Sequence, residues 1–175
     1  MAIVTLRATG ERIEGADAVR AALAARGVEY ERWEVREGDP LLAYAPERAR
    51  LAREKGYVDA DVVRLSPETP GLDALLAKFD KDHYHTDDEV RFIRDGEGVF
   101  GLTTEAGERL EILVAAGDYI SIPARVFHWF TLTPARGITA LRLFKDKGGW
   151  VPYYREAGAP GTGTGAGAAP VSAKG

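Results

Sequence analysis

The spacing of apolar and polar positions changes character near residue 80. Upstream, Ala2 to Arg7 alternates loosely and is rich in β-branched residues, which predicts a strand. Ala16 to Arg26 (ADAVRAALAAR) sets apolar side chains at helical spacing on an alanine-rich background, and Gly27 supplies the stop. Val28 to Val35 (VEYERWEV) repeats with period two and predicts a strand with one wet face. From there through about Phe79 the chain reads as helical in pieces. Pro46 to Lys55 ends at Gly56, and Leu72 to Phe79 follows the breaker PETPG.

Beyond Asp82 the period shortens. Glu89 to Ile93, Gly98 to Thr103, Arg109 to Val114, Tyr119 to Ile122, Phe127 to Thr133 and Thr139 to Phe144 are short strand-like runs. The segments RDGEG, TEAGE, AAGD and TPARG separate them as turns. Short strands at close spacing predict a sandwich or barrel, so the expected fold class is mainly β with peripheral helices. From Ala157 the sequence AGAPGTGTGAGAAPVSAKG is too poor in large apolar residues to offset its ordering entropy, and a disordered tail is expected over 157–175. The remainder, 1–156, is expected to be one domain: an elaboration of strands and helices over 1–80 and a β core over 81–156.

Composition narrows the function classes. A chain of 175 residues can bury a proper core without staples. Its formal charge of −4 argues against a nucleic-acid partner, which would need a clustered basic face. The absence of cysteine excludes disulfides, thiolate metal sites, iron–sulfur clusters and cysteine nucleophiles, and fits a reducing compartment. No stretch approaches the roughly 20 apolar residues of a membrane helix, and the N-terminal apolar run is too short for a signal peptide. A cytoplasmic protein without a membrane partner is expected.

The histidine census carries the chemistry. The chain has three histidines. His83 and His85 open the run HYHTDDE, which closes on Glu89, and His128 stands in PARVFHWF. On a strand His83 and His85 point the same way, about 7 Å apart. Three imidazoles and a carboxylate form a mixed nitrogen and oxygen set that suits one iron, nickel, manganese or zinc ion. The bland alternative is a solvated strand-edge pair, His83 and His85, with His128 as a satisfied core residue. Arg91, two residues past Glu89, is either the counter-charge for an anionic substrate or a surface arginine. Arg142, in the apolar run ITALRLF, is either a substrate contact or half of a structural salt bridge. Asp88 is read as a proton acceptor, as a partner to a ligand imidazole, or as a solvated turn residue. Phe130 and Trp150 are candidate pocket walls, and Phe92 reads as ordinary core.

These residues also match a known pattern. His83, His85, Glu89 and Gly96 fit the first motif of the cupin superfamily, and Gly117, Pro123 and His128 fit the second, from which Arg125 and Leu132 depart. Within cupins, KGYVDADVVRLSPETPGLDALLAKF, DHYHTDDEVRFIRDGEGVFGL and LRLFKDKGGW resemble the acireductone dioxygenases over roughly residues 2 to 155. The resemblance implies a jelly-roll β-sandwich, probed by no residue period alone, and a monomer. It also implies one Fe(II) or Ni(II) ion held by His83, His85, Glu89 and His128, with two positions left for substrate. The implied reaction is cleavage of a methylthio acireductone by dioxygen in methionine salvage. The iron form would yield formate and 4-methylthio-2-oxobutanoate; the nickel form would yield 3-methylthiopropanoate, formate and carbon monoxide. The rival expectations are another cupin metalloenzyme, such as an isomerase or a different dioxygenase, and a non-catalytic cupin ligand-binding module.

Overall fold

Alternating side chains on short strands leave each strand with a face to bury, and two antiparallel layers meet that need. The computed structural model describes residues 1–155, so the expected disordered tail lies outside the described residues. In chain order the elements are β1 (Ile3–Leu6), β2 (Arg12–Ile13), α1 (Ala16–Ala24), β3 (Glu29–Arg32), α2 (Pro40–Ala43), α3 (Ala45–Lys55), β4 (Asp59–Leu65) and α4 (Leu72–Phe79). There follow β5 (His83–Tyr84), β6 (Glu89–Thr103), β7 (Arg109–Ala115), β8 (Asp118–Ile122), β9 (Phe127–Leu132), β10 (Ile138–Phe144), a 3-10 turn (Lys147–Trp150) and β11 (Tyr153–Tyr154). One layer runs β11-β5-β9-β6-β7-β1-β2. The other pairs β3 with β8, β8 with β6, β6 with β10 and β10 with β4. The fold is mainly β with peripheral helices, as expected.

β6 belongs to both layers. Its first half, Glu89 to Gly96, pairs with β8 and β10, and its second half, Glu97 to Thr103, pairs with β7 and β9. The segment RDGEG is therefore a bend inside one 15-residue strand, where the sequence predicts a turn between two. Gly96 makes the bend: its φ is +74°, and a Cβ there would lie 2.1 Å from the carbonyl oxygen of Gly137. A second departure is β4, placed where helix is expected. Its acids at 59 and 61 break the apolar period, and the arginine that answers Asp61 lies 81 residues away, beyond any local pattern.

Two cores result. Between the layers, Phe100, Ile112, Val114, Phe130 and Leu132 pack with Ile93, Ile120, Ile122, Ile138 and Ala140, and α1 and α4 add Val19, Leu23, Leu72 and Leu76. On the reverse face of the second layer, Val90, Phe92, Tyr119, Leu141 and Leu143 pack with Trp33, Tyr44, Leu51 and Tyr57. Phe92 stacks on Trp33 at 4.8 Å and meets Tyr44 at 4.5 Å between ring centres, as a core residue should. Because 90 and 92 face this second core, Glu89 and Arg91 face the interior between the layers. No helix among the described residues is long and apolar enough to cross a membrane.

Replacing Gly96 with alanine should destabilise the fold by about 2–4 kcal/mol, combining the left-handed backbone penalty with a backbone clash. Urea denaturation measures it, and a loss below about 1 kcal/mol would show that β6 does not depend on this bend.

Candidate metal centre

The four donors come from three strands and the loop after one of them. β5 pairs with β9 so that His83 lies directly opposite His128. His85 follows as β5 ends, and Glu89 opens β6 opposite Ile122 of β8. All four side chains are buried, and one ligand atom from each lies within 4.8 Å of the others. The bland alternative of a solvated histidine pair is thereby excluded. His85 is further fixed by its own carbonyl, which accepts the amide N–H of Arg125 at 2.8 Å. Arg125 adopts φ +67°, the left-handed conformation that a glycine would take more easily, so the departure from the motif leaves the turn in place.

Each imidazole is aimed by its outer nitrogen. His83 Nδ1 donates to the carbonyl of Lys81 at 2.7 Å, His128 Nδ1 to that of Val126 at 2.8 Å, and His85 Nδ1 to that of Val151 at 3.2 Å. That tautomer leaves the three Nε2 lone pairs pointing inward. His128 Nε2 and His85 Nε2 both lie against Glu89 Oε2, at 2.7 and 3.0 Å. The other carboxylate oxygen, Oε1, accepts from Arg91 Nε at 2.9 Å and Nη2 at 2.8 Å. Arg91 thus saturates one oxygen and leaves the other to the imidazoles.

Electrostatics agree with a cation site. Burial alone would raise the pKa of Glu89, but Arg91 and then His128 outweigh it and hold the carboxyl well below its ordinary value. Burial, with His128 nearby, pushes His83 down to about 4, so its lone pair is available at neutral pH. Burial also opposes charge on His128, yet the Glu89 carboxylate wins and raises its pKa. Two imidazoles crowd one carboxylate oxygen, and a proton can hold them there only in part. A divalent cation fits this set better: four inward donors, hard and borderline, with the outer valences already satisfied.

Around the cluster lies a belt of arginine and aromatic side chains. The Arg91 guanidinium sits 5.0 Å from the ring centre of Trp150 and 5.9 Å from that of Phe130. Trp150 also stacks on His85 at 5.6 Å and contacts Phe144 at 4.5 Å, and its indole N–H is buried without a hydrogen-bond partner among the described residues. Arg142 forms a two-pronged ion pair with Asp61, at 2.7 and 2.6 Å, and lies 5.5 Å from the Trp150 ring centre. It is therefore the salt-bridge reading of Arg142 that the geometry displays.

Asp88 stands apart from the imidazoles. Its oxygens accept from Tyr57 Oη at 2.7 Å, Lys145 Nζ at 2.8 Å and the amide of Ala124 at 3.0 Å. Burial would raise its pKa, but Lys145 and Tyr57 hold it below the ordinary carboxylate range, which makes a poor base. Of the three readings of Asp88, the geometry does not display the partnership with a ligand imidazole, since the three ring Nδ1 atoms donate to main-chain carbonyls instead.

Three contributors escaped the sequence reading. Asp61 lies in the strand misjudged as helix. Asp87 is buried and accepts the amides of Lys145 and Asp146 at 3.0 and 3.3 Å, tying the segment that carries Trp150 to the residues before Glu89. The carbonyls of Lys81, Val126 and Val151 carry no side-chain signal at all. Asp87 alone had a legible cue, a third acid in a run already marked as functional.

Known proteins resemble this chain over nearly its whole length. A family model described as ARD/ARD' matches residues 16–152. An acireductone dioxygenase of Leptospira biflexa is 42% identical over 160 residues, 82% of this chain and 90% of its own length. One from Geobacillus kaustophilus is 40% identical over 174 residues, covering 89% and 96%. The solved structure of acireductone dioxygenase from Bacillus anthracis, with a cadmium ion in its active centre, is 36% identical and superposes with a TM-score of 0.83 over 88% of this chain and 98% of that one. With all four inward donors inside the matched span, the chain belongs to the ARD/ARD' family.

Proposed function

We propose that this protein is an acireductone dioxygenase of methionine salvage, loaded with one Fe(II) or Ni(II) ion and working in the cytoplasm as a monomer. Its substrates are 1,2-dihydroxy-5-(methylthio)pent-1-en-3-one and dioxygen. The iron form yields formate and 4-methylthio-2-oxobutanoate, and the nickel form yields 3-methylthiopropanoate, formate and carbon monoxide. The observation that carries the reading is the convergence of His83, His85, Glu89 and His128 beside a buried arginine, in a chain of this family. The cadmium ion in the Bacillus anthracis relative supports a divalent ion in the same kind of centre.

His83, His85 and His128 would hold the ion through Nε2 and Glu89 through Oε2. Once bound, a divalent ion supplies Lewis-acid templating for an enediol and dioxygen. The chain's own residues do the rest. The carbonyls of Lys81, Val126 and Val151 hold the Nδ1–H of each imidazole, which turns Nε2 inward and stops the rings from rotating. Arg91 orients Glu89 and presents positive charge where a deprotonated enediol would lie. Phe130 and Trp150 flank that guanidinium and offer an apolar wall for the methylthio group. Asp88 fastens Lys145, and with Asp87 it keeps the segment bearing Trp150 over the site.

Oxygen uptake after anaerobic mixing with the acireductone tests the reading directly, and no uptake by the iron- or nickel-loaded protein would end it. Separate reconstitutions should share formate and differ otherwise: 3-methylthiopropanoate and carbon monoxide from the nickel form, and 4-methylthio-2-oxobutanoate without carbon monoxide from the iron form. Substituting His85 or His128 with alanine should abolish bound metal and oxygen uptake together, so full occupancy by elemental analysis in either variant would remove that residue from the ligand set. Arg91→Ala should keep its metal while kcat/KM falls by about tenfold or more, since a buried charge-assisted contact is lost. Unchanged kinetics would reduce Arg91 to scaffold.

A further inference from the structure

The interior face of the second layer carries an unusual row of charges. Register sets Asp61 of β4 opposite Arg142 of β10, and Arg142 opposite Arg91 of β6. Residues directly opposite on one face of a sheet have neighbouring side chains, and two like charges in that relation repel. Each arginine here has its own carboxylate: Arg91 takes Glu89, and Arg142 takes Asp61 through both prongs. The Trp150 ring lies near both guanidiniums, 5.0 and 5.5 Å from its centre, so the two cations border one space.

We propose that Asp61 is a positioning residue that sets the charge of this space. It acts through Arg142, drawing that guanidinium toward β4 and leaving Arg91 as the sole cation on Glu89. The count of charges shows why this matters. A divalent ion and two guanidiniums against Glu89 and Asp61 leave two positive charges, the match for a doubly deprotonated enediol. Without Asp61 the space holds an excess positive charge, which repels the metal ion and attracts any anion. The Arg142–Asp61 pair is partly exposed, so the effect is largest at low ionic strength and weakens as salt rises.

The substrate half of this inference rests on the proposed function; the metal half does not. The test is Asp61→Asn, nearly the same shape without the charge, compared with the double variant Asp61→Asn/Arg142→Gln, which removes both members of the pair. Nickel affinity is measured by calorimetry and KM by oxygen uptake with acireductone. One uncompensated charge acting across partly solvated protein should weaken nickel binding by about tenfold and lower KM by about threefold in the single variant. The double variant should bring nickel binding back to within about twofold of the parent, since the net charge is restored. A merely structural role would weaken nickel binding and raise KM together, and would leave the double variant worse than the single. Either that pattern or an unchanged nickel affinity in Asp61→Asn overturns the proposal. A parent protein that binds nickel but ignores acireductone would sink the proposed function and leave the charge-setting role to be decided by the nickel data.

Discussion

Glu89 keeps a negative charge in a place that water scarcely reaches. A carboxylate stranded there would cost several kcal/mol or would take up a proton. Arg91 prevents that at one oxygen, and the other lies against His85 and His128, where a cation would complete its neutralisation. The division of labour between the two oxygens gives the site its direction. Arg91 comes from the same strand face, two residues along, and its position is guaranteed by the pleat. The imidazoles come from elsewhere, so the rest of the fold must deliver them.

β6 makes that delivery possible. By passing through both layers it brings the β8 and β10 side of the molecule against the β9 and β5 side. Glu89 stands on one layer while His128 stands on the other. Strand-end geometry then lets short segments finish the centre: two residues of β5 carry His83, and the turn at Arg125 grips the backbone of His85. The aromatic cluster behind Val90 and Phe92 stiffens the reverse side of the same strand. A site assembled on strands with both faces packed tolerates little drift of its donors.

Much of this could be read from the chain alone, for identifiable reasons. The four donors were legible because the chain spends its histidines nowhere else, and because the step from 83 to 85 is the strand period. Phe92 was legible as core because an aromatic in a strand-like run is ordinarily packed inside. What the residues hid was long-range. The bend at Gly96 looks like a turn because glycine between acids is the ordinary mark of one. β4 looks unlike a strand because Asp61 faces inward, and its reason for doing so is Arg142, far along the chain. Arg142 itself stayed ambiguous for the converse reason. Asp88 stayed open between three readings because its partners, Tyr57 and Lys145, lie far along the chain on the side away from the ligand next to it.

β5 is only two residues long, and it is stitched between β9 and the equally brief β11. Such a strip has few ladder bonds to resist fraying at its ends. An ion gripping imidazoles from β5, the loop beyond it and β9 would crosslink this strip to the body of the sheet, as a rivet secures a narrow tab. Occupancy would then do more than equip the protein for chemistry: it would lock the local strand alignment and slow the peeling that exposes this edge to proteases and to other chains.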